Sequence, residues 1–292
     1  MSSSPSVLSD ALDGWTPEPV STVDAVSPWA VAGFSALLDL DPVAGDGDPL
    51  PPLWHWFAFL DTPPSSALGD DGHPAHGRFL PPVPDRRRMF AGGRLSWYAP
   101  WHVGEPVERT TAVDAVRIRE GRTGEMAFVT TRAEFRRAGS GGELLAVEEQ
   151  DVVYRSQPAG SVRGIAAPEP APRPEHEWGL TLPTGPVLLF RMSALTANAH
   201  RIHYDEPYAT GVEGYPGLVV HGPLLALLGL EVLRRHRTDT TVGRFEYRLT
   251  APAFAGPDLW AGASRSGDGL AVGAGADGAP PSLTGTVTPA RH

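Results

Sequence analysis

The chain has 292 residues, 41% hydrophobic and 20% charged, with 24 basic residues, all arginine, against 34 acidic ones, and no cysteine. That length can bury one large core or two ordinary ones. The missing cysteines exclude a disulfide framework, a thiol nucleophile and any Cys-ligated metal, and a net charge of −10 argues against general nucleic-acid or anionic-membrane binding.

In chain order, the opening residues Met1–Trp15 lack the charged and apolar regions of a secretory signal, so the cytoplasm is the expected compartment. No apolar run is long enough to span a bilayer. Trp29, Val31, Ala32, Phe34, Leu37 and Leu38 carry a helical pattern. Asp61–Arg86, rich in Pro and Gly, reads as a long loop that either covers a cleft or is mobile. Arg86, Arg87 and Arg88 form a basic run, suited either to phosphates or to a solvated face. Trp54, Trp56, Trp97 and Trp101 are expected to pack a first core. Met126–Phe135 and Leu144–Tyr154 have strand patterns, and residues 157–184, with several prolines, read as an extended linker. Beyond it, Pro223–His236 is a helix followed by strands at Arg244–Leu249 and around Leu259 and Leu270. Both halves carry A-P-x-x-x-G, at Ala99–Gly104 and Ala251–Gly256, which supports an internal duplication. The expected organisation is a domain over 1–156, a linker over 157–184 and a second domain over 185–292.

The chemistry concentrates in the second half. Leu224, Leu225, Leu227, Leu228, Leu230, Val232 and Leu233 make a helix apolar nearly all round, which belongs inside a protein. Pro223 suits its first turn, and Gly222 permits close backbone approach. Such a helix start offers free N–H groups and a positive dipole end to a developing oxyanion. Upstream, Asn198, His200, His203 and Asp205 supply hydrogen-bonding and proton-transfer groups. Asp205 reads as a capping residue. His200, His203 and Asp205 could also ligate a metal on a regular helix, but without cysteine or H-E-x-x-H no metal is expected.

This segment resembles the active-site region of the MaoC-like (R)-specific enoyl-thioester hydratases and dehydratases, whose motif is G-D-x-N-P-[LI]-H followed by x-D-x-x-Y-A. His203-Tyr204-Asp205-Glu206-Pro207-Tyr208-Ala209 matches its later part, and Val220-His221-Gly222 resembles the start of the family's helix. Asn198 stands where the family has its catalytic aspartate, and His200 where it has asparagine. Asn198–Asp205 and Glu213–Leu224, with Pro51–Trp54, Arg87–Gly93 and Glu148–Asp151, resemble a narrower branch: tandem hot-dog proteins related to mesaconyl-CoA hydratase and to mitochondrial-type 3-hydroxyacyl-thioester dehydratases.

The resemblance implies an α+β double hot dog, two curved antiparallel sheets each wrapped around a central helix. It implies reversible addition of water to an enoyl thioester, with His203 as general acid/base, Asn198 positioning water or substrate, and the His221–Gly222 backbone as oxyanion hole. Substrate contacts are expected from His200, Arg201, Tyr215, Gly217, His221 and Gly222, and phosphate contacts from Arg86, Arg87 and Arg88. His200 and His221 each have a structural role as the alternative. The first half would provide packing and part of the substrate tunnel. No cofactor is expected. The partner is an acyl-CoA or acyl carrier protein thioester, and a homo-oligomer is possible. Two alternatives stay open: a non-catalytic acyl-thioester-binding subunit, suggested by Asn198, and a hot-dog thioesterase.

Overall fold

The computed structural model describes residues 7–121, 124–156 and 164–290. The first half contains α1 (Val7–Leu12), β1 (Val20–Asp24), α2 (Pro28–Leu37), β2 (Arg86–Trp97), β3 (Val107–Gly121), β4 (Gly124–Arg137) and β5 (Leu144–Ser156). The second contains β6 (Trp178–Leu182), α3 (Pro186–Leu195), α4 (Glu206–Gly211), α5 (Gly222–His236), β7 (Val242–Leu249), β8 (Leu259–Ser266), β9 (Gly269–Ala276) and β10 (Leu283–Pro289). Short 3-10 turns at Trp54–Phe57, Ser65–Ala67 and Arg201–His203 complete the list.

All ten strands join one antiparallel sheet in the order β1-β3-β4-β5-β2-β7-β10-β9-β8-β6. The halves meet at β2 and β7, where Gly92–Ser96 pairs rung by rung with Arg248–Arg244. Each side of that seam repeats a helix-then-strands order, as a double hot dog requires.

In the second half, α5 lies against β6, β8, β9 and β10. Every residue from Leu224 to Leu233 is buried, which explains why the sequence spares no polar face. Each buried leucine contributes about 1.5–3 kcal/mol. Glu231, inside that run, is held by the Arg234 and Arg235 guanidinium groups at 2.7 Å, so a buried carboxylate is charge-paired rather than stranded.

The first half is packed differently. Its α2 lies on α3, and Phe34 meets Trp54 edge-on at 4.8 Å. The turn Trp54–Phe57 covers a small core of Trp101, Val107, Ala133, Phe135, Leu145 and Ala146. His55 of that turn stacks on Trp101 and bonds the buried Glu148 at 3.0 Å. Preceding it, Leu53 has φ 71°, which breaks helical geometry at once. The main core runs from Val31 and Phe34 through Leu95 to α5 and β7, across both halves.

The expected linker ends earlier than its composition suggests. Residues 157–163 lie outside the described residues, and 164–177 hold no regular element, but Trp178–Leu182 is the edge strand β6, paired with β8. Five residues are too few for the alternation of Leu180 and Leu182 to stand out among prolines. No helix among the described residues is long and apolar enough to cross a membrane.

Candidate active site

Between the end of α3 and the turn Arg201–His203 the chain leaves regular helix. Ala197, at φ 48°, takes the left-handed conformation usual for glycine after a helix. Asn198 N–H then bonds back to the Ser193 carbonyl at 2.9 Å, and the Asn198 side-chain oxygen accepts from His200 N–H at 3.0 Å. With its oxygen engaged, Asn198 has its amide NH2 left to donate, and it cannot exchange a proton. This departure from regular helix brings Asn198 and His203 to one cavity despite their five-residue spacing.

His203 sits on the turn Arg201–His203 and its Nδ1 lies 2.7 Å from the Val219 carbonyl. A carbonyl only accepts, so Nδ1 carries the hydrogen and Nε2 keeps a lone pair. Burial holds the His203 pKa down to about 4, the Val219 carbonyl opposing, with the charges of His73 and Arg88 adding to the depression. The neutral imidazole is a base at neutral pH. His221 stacks on it and bonds Ser193 Oγ through Nε2 at 2.9 Å. Burial also keeps His221 well below its ordinary pKa.

Gly222 opens α5 with an N–H that meets no acceptor among the described residues. A Cβ there would lie 2.5 Å from Leu249 Cδ1 and 3.3 Å from Phe90, so glycine lets helix and sheet close up at this point. Gly222 and Pro223 form part of the wall of a cavity of about 840 Å³ that Asn198, His200, His203 and Tyr215 also line. Phe90, Ile202, Val219 and Leu225 give it apolar stretches suited to an acyl chain. A second cavity of about 390 Å³ adjoins Asn198 and His221.

The first half contributes more than packing. The loop before β2 brings Asp71 and His73 onto the site: His73 lies 3.9 Å from the His200 ring, and Asp71 Oδ2 is 3.0 Å from His73 Nδ1. Both residues were passed over in the sequence, hidden in a Pro/Gly-rich stretch some 130 positions away from His203; the signal available was the pair of titratable residues flanking one glycine. Arg88 lines both cavities, whereas the other two arginines of its run are spent elsewhere. Arg86 donates to the Pro81 and Ala75 carbonyls at 3.1 and 3.0 Å, and Arg87 pairs with Glu213. The three therefore form no common phosphate cradle.

Two further expectations are corrected. Arg201 is turned from the cavity: its guanidinium bonds Asp205 at 2.7 Å and stacks over Tyr208. Gly217 belongs to the turn before Leu218 and borders neither cavity. Asp205 caps α4 by accepting from Tyr208 N–H at 3.1 Å, which removes it from any ligand set with His200 and His203. Donor atoms of Asp71, His73 and His200 do gather within 4.8 Å of one another. There the Asp71–His73 hydrogen bond already satisfies two of the three groups, and the Arg88 charge beside them opposes a dication.

Fold and site together define a double hot-dog protein with a cluster of histidines at the start of a buried helix. The chain belongs to the hydroxyacyl-thioester dehydratase type 2 family, whose model matches residues 53–255. It is 46% identical over 227 residues to the mesaconyl-C(4)-CoA hydratase of Chloroflexus aurantiacus, covering 76% of this chain and 78% of that one. To the mitochondrial hydroxyacyl-thioester dehydratase type 2 of Schizosaccharomyces pombe it is 29% identical over 235 residues, covering 72% and 76%. A double hot-dog protein of Mycobacterium tuberculosis superposes with a TM-score of 0.54 at 18% identity, covering 93% of this chain and 94% of that one.

Proposed function

We propose that this protein is a hydratase/dehydratase that reversibly adds water across the α,β double bond of an enoyl thioester, with a CoA ester of mesaconyl type as substrate. The observation that carries this reading is His203, buried in the cavity wall with Nδ1 fixed by the Val219 carbonyl and Nε2 without a hydrogen-bond partner among the described residues. In hydration, Nε2 takes a proton from water as the oxygen attacks the β-carbon. Negative charge moves onto the thioester oxygen, which the Gly222 N–H and the positive end of α5 stabilise. Asn198 NH2 orients the water or the thioester. The α-carbon is then protonated.

Relatives at 46% and 29% identity are by name a hydratase and a dehydratase, which supports the reaction class. Mesaconate is a dicarboxylic acid, so its monothioester keeps one free carboxylate. Arg88, facing the cavity with no carboxylate ion pair among the described residues, suits that group. A chain without cysteine in a cytoplasmic setting completes the proposal.

The test is mass-resolved turnover of enoyl- and 3-hydroxyacyl-CoAs, with and without a distal carboxylate, by wild type, His203→Ala and Arg88→Leu. Gain or loss of one water on an intact thioester, abolished in His203→Ala, is expected. Arg88→Leu should raise KM for the carboxylated acyl groups alone. Release of free CoA would instead indicate a thioesterase, and binding without any mass change a non-catalytic subunit.

A further inference from the structure

Hydration needs two proton transfers, one from water and one to the α-carbon, and Asn198 can perform neither. We propose that His73, carried by the first-half loop, is the second acid–base group of this site and handles the α-proton, with Asp71 as its positioning residue. This rests on the hydratase reading above.

The geometry is that of a held imidazole. Asp71 Oδ1 accepts the His73 backbone N–H at 2.9 Å, and Oδ2 faces Nδ1 at 3.0 Å, so both carboxylate oxygens fix one residue. With Nδ1–H given to Asp71, Nε2 is the nitrogen left to exchange a proton. The ring lies 3.9 Å from His200, which stands edge-on to His203 at 5.5 Å, and it borders both cavities.

The loop is docked with equal care. Arg201 N–H bonds the Asp71 carbonyl at 2.9 Å, and the Arg201 guanidinium the Asp70 carbonyl at 3.0 Å. Arg86 clasps the far side through the Ala75 carbonyl. Gly72, between the two residues, has φ 87°, and a Cβ there would fall 1.9 Å from the Ala199 carbonyl oxygen. Only glycine allows this approach. The charged and titratable groups facing His73 are Asp71 from its own loop, Arg86 and Arg88 from β2, and His200 and His203 from the second half.

The step balances as follows. In dehydration, neutral His73 Nε2 removes the α-proton and the electron pair passes into the thioester enolate. The pair returns to form the double bond as the β-carbon–oxygen bond breaks, and protonated His203 gives its proton to the departing hydroxyl, releasing water. One proton then moves from His73 to His203, through His200 or solvent, and restores the start. Hydration is the reverse.

Two readouts separate the transfers: α-proton exchange of a saturated acyl-CoA in D2O, which has no β-leaving group, and turnover of the matching 3-hydroxyacyl-CoA. His73→Gln should lower both by about 100-fold or more, whereas His203→Gln should lose turnover and keep exchange. Gly72→Ala, which removes no titratable group, should reproduce the His73→Gln loss by lifting the loop. Asp71→Asn should give a partial loss and move the acidic limb of dehydration to lower pH, because the carboxylate that raises the His73 pKa is gone. His73→Gln with wild-type exchange would overturn the role of His73 alone. So would wild-type exchange that is lost to EDTA and restored by Zn2+, which would make the trio a metal site. A wild type that neither exchanges nor turns over any thioester would overturn the hydratase reading, and the role with it.

Discussion

The imidazoles of His203 and His221 lie face to face, their centroids 3.7 Å apart and their planes 16° from parallel. Ser193 Oγ anchors the His221 ring and the Val219 carbonyl the His203 ring, so the plane of His203 is set from two sides. His221→Ala should therefore lower kcat by about 10- to 100-fold through misalignment of Nε2, with KM nearly unchanged. His221→Phe, which keeps a flat neighbour, should recover part of it. Steady-state kinetics on both variants decide this, and a change confined to KM would mean that His221 contacts substrate instead.

Acid should unfold this protein through its buried histidines. The folded pKa of His203, about 4, lies below the unfolded value of 6.5, and those of His73, His200 and His221 are also depressed, chiefly by burial. Between these limits the unfolded chain binds more protons, so stability falls as pH drops from about 6.5 towards 4, by about 1.4 kcal/mol per pH unit for each fully uncompensated histidine. Urea midpoints measured from pH 8 to pH 4 should decline in that window. The decline should be shallower in His203→Gln.

Asn198→Asp would place a carboxylate on the cavity that His203 also lines while keeping an acceptor for His200 N–H. The new charge favours the imidazolium, so the His203 pKa should rise and the acidic limb of the hydration rate should move to higher pH. Asn198→Ala loses acceptor and donor together and should cost about 10- to 100-fold in kcat and about 1 kcal/mol in stability. The pH profile of kcat/KM for the pair is the measurement, and an unshifted limb in Asn198→Asp would place residue 198 outside the proton chemistry.

Glu148 holds the first-half core together by accepting from Trp56 Nε1 at 2.8 Å and from Gln150 at 2.7 Å, with His55 3.0 Å away. Burial would raise its pKa, but these contacts hold it below the ordinary carboxylate value. Glu148→Ala should destabilise by about 3 kcal/mol, a fall in Tm of roughly 5 °C for a chain of this size. Glu149→Gln, at a half-exposed ion pair with Arg94, should cost less than about 1 kcal/mol. Calorimetry of the two variants compares a buried carboxylate with its half-exposed neighbour.

Much of this was legible in the chain. Helix α5 announced itself because a buried helix must be apolar on every side, and β4 and β5 because their strand patterns are long. Asn198 and His203 drew attention through their likeness to the family's motif, and the fold brings both to one cavity. What stayed hidden depends on distant contacts. Asp71 and His73 gain their meaning only when β2 and β7 pair and lay the loop over His200. Arg201 looked like a substrate contact beside His203, yet a turn rather than a helix points it at Asp205. Arg86, Arg87 and Arg88 are one run in sequence but have three different environments, since a strand sends neighbours to opposite faces and the loop claims the first of them.

The pairing of β2 with β7 has one more consequence. Because both strands belong to one chain, the interface between the halves does not come apart on dilution, and the first half meets the second at an effective concentration set by their connection, not by the amount of protein present. Nor need the two halves remain copies. Identical subunits must each carry every group, whereas here one half is free to keep the asparagine and histidine while the other specialises in the loop that faces them.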